Sequence, residues 1–341
     1  MKRLILTLTM GFALTHASAQ LLNNGAIYIS EGAIVSIGME TINNGSIDNK
    51  GNLEIKSNIN NNADFSSTGM IFLRSETGIN VHGSRELVVD RVSLDSDLHL
   101  ETSLGINKSL AFNNGLIYSN EKASVNFGPE ASHTLSNDFS HVVGNVSKSG
   151  NGSFTFPVGD GYANRSFEVS DLRGRTIEAT YVPSSPLDIT SALDYDVEEV
   201  NSQEYWLIKS NNASRVDVRL VNNDVVAVEN GVWANSSKGV IVGRDGAAFT
   251  SGRAKQFIKE IGVWPNPTSG EFNLKLTGMR DTDDITVDIT NQDGRVIQSL
   301  KGKVSELRKA YRLPSSMATT NLKVRVINGD EVLTQSLILN K

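Results

Sequence analysis

The 341-residue chain contains no cysteine, so disulfide staples, thiol nucleophiles and thiolate metal sites are all excluded. It also lacks an excess of positive charge: 32 Lys and Arg face 38 Asp and Glu, a formal −6. Nucleic-acid binding needs a clustered basic face to meet phosphates, and no nucleic-acid partner is expected. Beyond the first twenty residues there is no apolar run long enough to cross a bilayer as a helix. Histidine is scarce, and His82, His99, His133 and His141 show no H-x-x-x-H zinc spacing. No Gly-x-Ser-x-Gly elbow occurs, and the glycine-rich stretch 144–152 lacks the Gly-Lys-Ser/Thr ending that cradles phosphates. These absences remove the common hydrolase, nucleotide-binding and metalloenzyme signatures, and no cofactor is expected.

What is present begins with an export signal. Lys2 and Arg3 precede the short apolar stretch from Leu4 to Leu14, and Ala17-Ser18-Ala19 is a small-x-small cleavage site. Residues 1–19 read as a signal peptide, with Gln20 first in the mature chain. Loss of Lys2 and Arg3 with that leader takes the balance from −6 to −8. Without a Cys at the cleavage site, a lipid anchor there is excluded.

From 20 to 143 the text repeats. Asn23-Asn24-Gly25 returns as Asn43-Asn44-Gly45, as Asn61-Asn62-Ala63, and as Asn113-Asn114-Gly115. Between these turns lie apolar pairs at i, i+2, among them Ile27/Ile29, Val35/Ile37, Leu53/Ile55, Ile71/Leu73, Leu104/Ile106 and Leu110/Phe112. Period-two patterning predicts strands, and Asn-Gly predicts tight turns with positive φ at glycine. A recurrence near twenty residues predicts coils stacked as a parallel β-helix or solenoid, in which turn asparagines can form ladders. A sandwich of hairpins is the competing reading of the same turns.

The repeat stops near 144, and aromatic pairs such as Phe154/Phe156 and Trp206/Ile208 take over to 251. Their alternation predicts a middle antiparallel β-sandwich. Residues 252–262, polar and basic, read as a linker. A second small β-domain follows over 263–341, opened by Pro265-Asn266-Pro267-Thr268-Ser269-Gly270 and alternating Phe272, Leu274 and Leu276. No helix of useful length is predicted. The fold class is all-β.

Three blocks in the last domain carry a family resemblance: Pro265 to Gly270, Asp293-Gly294-Arg295-Val296, and Leu337-Ile338-Leu339. In that order they resemble the C-terminal sorting domain of the type IX secretion system of Bacteroidetes-type bacteria. The resemblance implies passage through the outer-membrane translocon, with that translocon and its shuttle protein as partners, and placement at the cell surface, in the outer membrane or outside the cell. It also implies that Pro265, Asn266, Pro267, Thr268, Ser269, Gly270, Gly294 and Arg295 form the sorting signal. Two departures stand out. Thr320 and Leu322 occupy the family's Gly-x-Tyr positions, and Gln335 and Ser336 replace a lysine pair before the last strand. A sorting domain retained rather than cleaved is the expectation these departures raise.

For chemistry the strongest local pattern is Asp95-Ser96-Asp97-Leu98-His99-Leu100-Glu101. If the leucines point inward, Asp97, His99 and Glu101 share the outer face at about 6.6–7 Å intervals, close enough to be weighed as cation ligands. His99 oriented by Asp97 could also serve as a base. The plain alternative is a solvated coil face. Trp206 and Trp233 read either as a sugar-stacking platform or as sandwich core. The whole reads as a non-enzymatic exported surface protein, acting in adhesion or as an accessory subunit of the gliding or secretion machinery. A surface polysaccharide or a gliding-machinery component is then the further partner. The rival reading is a secreted carbohydrate-binding or polysaccharide-degrading β-helix protein.

Overall fold

The computed structural model describes residues 19–134, 136–221, 223–236, 239–255, 259–329 and 331–341. The leader expected over 1–19 therefore lies almost wholly outside the described residues. The chain divides into two compact units, Met1–Ala254 and Lys255–Lys341. It is nearly all β-strand, with an N-terminal solenoid of about seven turns.

The first coil comprises β1 (Gln20–Asn23), β2 (Ala26–Ile29) and β3 (Ile34–Ile37). The second comprises β4 (Glu40–Asn43), β5 (Ser46–Asn49) and β6 (Asn52–Ile55). Each strand lies parallel on its counterpart, with Leu22 beside Ile42, Ile27 beside Ile47 and Val35 beside Leu53. Alternation decides what is buried: Leu53 and Ile55 point into the coil while Asn52 and Glu54 point out. Stacking continues through Val142–Val143 in one sheet and through Asn145–Gly150 in another. The inward residues of all coils form one apolar core with the region that follows.

The asparagine ladder is present, and it is doubled. Inside, Asn23 Nδ2 donates to Asn43 Oδ1 at 2.8 Å, and Asn43 Nδ2 to Asn61 Oδ1 at 2.9 Å. On the surface, Asn62 donates to Asn44 and Asn44 to Asn24, at 3.1 and 3.3 Å. The fourth motif does not join it. Asn113 and Asn114 end the long strand Leu104–Asn114, in a different sheet, where Asn113 donates to Ser93 Oγ. The positive φ expected at these glycines is found at Gly115, at +97°, but not in the ladder turns. Gly25 and Gly45 are not among the glycines with positive φ. Gly45 is needed for contact: a Cβ there would lie 2.0 Å from the Gly25 carbonyl oxygen, whereas a Cβ on Gly25 would meet nothing.

Parallel stacking runs past the expected 143/144 boundary, and the change of geometry separates two pairing modes within one body. Asn145–Gly150 pairs parallel with Val125–Phe127 and antiparallel with Arg175–Val182, so one strand belongs to both regions. The sheet continues antiparallel through Tyr205–Ser210, Ala247–Ala254 and Asp224–Glu229 to Val232–Asn235. Phe156 stacks on Phe167 at 5.0 Å and Trp206 on Phe249 at 5.4 Å, filling the wider space between layers.

The division between the two units falls inside the expected linker over 252–262, whose two ends belong to strands. Ala247–Ala254 ends the first unit's sheet, and Glu260–Trp264 pairs antiparallel with Glu271–Thr277 in the second unit. The second unit is a sandwich of a three-stranded and a four-stranded antiparallel sheet. Its core comes from alternating residues such as Phe272, Leu274, Val287, Val324 and Leu337. Tyr311 stacks on Phe272 and donates to the Leu307 carbonyl; burial pushes its hydroxyl up to about 12.

Candidate functional site

The opening turn of the second unit is fastened to that unit's last strand, Glu331–Leu339. Pro265 and Pro267 have no N–H and cannot extend a ladder. Asn266 between them supplies the missing groups from its side chain. Its Nδ2 donates to the Ser336 carbonyl and its Oδ1 accepts from the Ile338 N–H, both at 2.8 Å. The amide thus pairs with the strand as a backbone peptide would. Thr268, fully buried, continues the pairing: its N–H donates to the Ile338 carbonyl at 2.7 Å, and its carbonyl accepts from the Asn340 N–H at 2.8 Å. The Thr268 hydroxyl donates to the Glu271 carbonyl and accepts from the Gly270 N–H at 3.1 Å. Gly270 sits at φ +136°, which explains glycine there. No side-chain contact of Ser269 enters this arrangement.

The middle block forms the turn between Asp284–Thr290 and Val296–Lys303. Asn291 Oδ1 accepts from the Arg295 N–H at 2.8 Å, and Gly294 takes φ +83°. The Arg295 side chain is exposed. Register places this turn at the same end of the four-stranded sheet as Leu339. Thr290 lies beside Lys323 and Lys323 beside Ser336, and the strands Asp284–Thr290 and Glu331–Leu339 both run toward that end. Two to three inter-strand spacings, about 9–15 Å, separate the turn from the closing strand. Blocks some 70 residues apart in sequence thus meet at one end of a small sandwich. Leu322 is core, and Ser336 acts through its backbone carbonyl, to which side-chain identity is indifferent.

The Asp97, His99, Glu101 set is not assembled. Leu98 and Leu100 are buried and His99 points outward, as alternation predicts. However, Asp97 Oδ1 accepts from the Leu116 N–H at 2.8 Å, acting as a turn cap for the next coil. The His99 ring stacks on Tyr118 of that coil at 4.6 Å. Glu101 leaves the strand in a bend. Asp95 lies in another sheet, where it binds Arg74 at 3.0 Å. Among the described residues no three His, Cys, Asp or Glu side chains converge on a cation position.

Both tryptophans weighed as a sugar platform are core. Trp206 is buried and donates to the Arg165 carbonyl at 2.7 Å; Trp233, also buried, donates to the Thr190 carbonyl at 2.9 Å. His133 is the histidine whose setting has a consequence for stability. Phe112, Phe127 and Phe154 surround it, and its Nε2 lies 2.6 Å from the Thr155 carbonyl. A carbonyl only accepts, so Nε2 carries the hydrogen and Nδ1 is buried without a partner. Burial lowers the His133 pKa, outweighing the opposing pull of the Thr155 carbonyl.

Because the folded value lies below the unfolded one, the unfolded state takes up its proton first as pH falls. Stability is full above about 6.5 and declines from there down to the lowered folded value, by at most about 1.4 kcal/mol per pH unit. Denaturation midpoints measured between pH 7.5 and 5.5 should fall more steeply for the native chain than for His133→Phe. Equal slopes would exclude His133 as the source.

Among family models, the secretion system C-terminal sorting domain matches residues 262–340. No curated protein matches the sequence. Two solved structures are similar in part. One is the β-glucuronidase of Faecalibacterium prausnitzii, at 10% identity and TM-score 0.19, covering 58% of this chain and 46% of that one. The other is dimeric latent PorU from Porphyromonas gingivalis, at 9% identity and TM-score 0.19, covering 51% and 25%. The chain spans less than half the length of either.

Proposed function

We propose, for a chain that carries a type IX secretion C-terminal sorting domain at 262–340 and is therefore an exported protein, that it works without catalysis at the cell surface. Its solenoid would serve in adhesion or as a rigid accessory subunit of the secretion or gliding machinery. The observation that carries this reading is the convergence of the Pro265–Gly270 turn and the closing strand into one hydrogen-bonded patch. It explains why sorting signatures from both edges of the domain belong together. The first unit supports the non-enzymatic half, since its coil faces are occupied by asparagine ladders and ion pairs such as Arg74 with Asp95. Stacked coils make a stiff, extended polar surface suited to docking.

The test is intact mass and location of the native chain in separated envelope and medium fractions. A chain ending at Lys341 and held in an envelope complex is the expected result, and the co-purifying proteins would identify its partners. An exclusively shortened, freely released form would overturn the accessory-subunit reading. Asn266→Ala removes both side-chain bonds to the closing strand and should leave the chain in the periplasm, while costing the domain about 1–3 kcal/mol. Normal export of a folded Asn266→Ala chain would show that the patch is not what the machinery reads.

A further inference from the structure

We propose that the first coil of the solenoid is an interface, and that its occupant is the first coil of a second copy of this chain. Among the described residues β1, β2 and β3 each lie at the edge of their sheet, so three strands present unpaired backbone at one end of the solenoid. The core is open there as well. Ile27, Val35 and Ile37 are only partly buried, whereas their neighbours in register one coil further in, Ile47, Leu53 and Ile55, are buried. On the outer side Leu22, Tyr28 and Ile34 are 55, 62 and 79% exposed.

Natural edge strands are guarded by charge, proline or bulges, and solenoids by polar capping coils. This edge has none of these. Between Gln20 and Gly38 the sole charged residue is Glu31, which sits in a turn rather than a strand, and there is no proline. A partner must therefore offer three strand edges around an apolar cross-section of the same size, with no need for opposite charge. The first coil is itself such an object. Its stacking on the second coil, strand for strand, already shows what this cross-section accepts.

Geometry selects a closed pair. A twofold axis across the solenoid reverses strand direction, so edges meet antiparallel. One strand meets itself and the other two meet each other. All three strands are four residues long, so no edge overhangs. The opposite end of the long sheet is covered by the antiparallel strand Arg175–Val182, which closes off head-to-tail growth. The inference concerns the chain beginning at Gln20 and stands apart from the fate of the sorting domain.

The experiment uses Gln20–Lys341, sized by light scattering on elution. Twice the chain mass is expected, reverting to a monomer, at least tenfold weaker in self-association, for Tyr28→Lys combined with Ile34→Lys. Both positions face solvent in the single chain, so the fold should tolerate them. The absence of native cysteine makes a second readout clean. Of the single variants Leu22→Cys, Tyr28→Cys and Ile34→Cys, the one on the self-paired strand should link two chains through a short bismaleimide. A monomer at about 100 µM, a hundredfold above a micromolar Kd, would overturn the proposal. So would a dimer indifferent to both lysines with no cross-link at any of the three positions, or a ladder of longer oligomers.

Discussion

Lys148→Ala is expected to destabilise the first unit by about 3–5 kcal/mol, among the largest effects of any single change in the chain. Lys148 is only 3% exposed, although it lies on a strand where a lysine ordinarily reaches water. Its ammonium donates to the carbonyls of Gly128, Pro129 and Ala131, at 2.5, 2.9 and 2.8 Å, and lies 5.3 Å from the centre of the Phe154 ring. Burial lowers its pKa from the usual lysine value, partly opposed by Glu130. The loop after Phe127 turns three carbonyls inward, and this one cation satisfies them. Lys148→Met keeps the aliphatic stem and discards the charge, which separates packing from hydrogen bonding. If the carbonyls dominate, Met costs nearly as much as Ala in urea denaturation followed by Trp206 and Trp233 fluorescence. A Met variant within about 1 kcal/mol of the native chain would assign the effect to packing.

Asn43→Ala should cost about 3–4 kcal/mol, while Asn44→Ala, one residue on, should cost less than about 0.5 kcal/mol. Both belong to ladders, so laddering alone does not decide the outcome. Burial does. Asn43 is fully buried; its amide donates to Asn61 and to the Asp64 carbonyl, and it accepts from Asn23. Removing it strands three groups that water reaches poorly. Asn44 is exposed, with its side chain in the outer ladder, and the partners it would leave, Asn24 and Asn62, can turn to solvent. Comparable losses at the two positions in thermal denaturation would refute this division.

The contrast between local and non-local information runs through the whole chain. Strand positions such as Leu53/Ile55 and Leu104/Ile106 were legible because alternation is written in consecutive residues. The stacking of Asn23 on Asn43 and Asn61 was legible because the repeat carries its own register. Lys148 was invisible, since a lysine between polar serines reads as solvated and only the path of a loop twenty residues earlier buries it. The role of Gly45 was misread because the atom it makes room for belongs to Gly25, in another coil. The sorting signature was recognised as three separate blocks, but its physical unity rests on Asn266 reaching a strand some 70 residues away. Asp97 looked like a ligand by spacing, and only the next coil reveals that its carboxylate is already committed to the Leu116 N–H.

In the parallel coils, the bonds between neighbours run along the solenoid axis rather than across it. A pull on the first coil along that axis therefore loads one coil interface at a time, like a zipper. The first coil yields before the second feels the full strain. Each released turn of 18 to 20 residues pays out about 60–70 Å of slack. At a surface exposed to flow, such a protein would lengthen in steps under tension while its remaining coils stay folded and stiff.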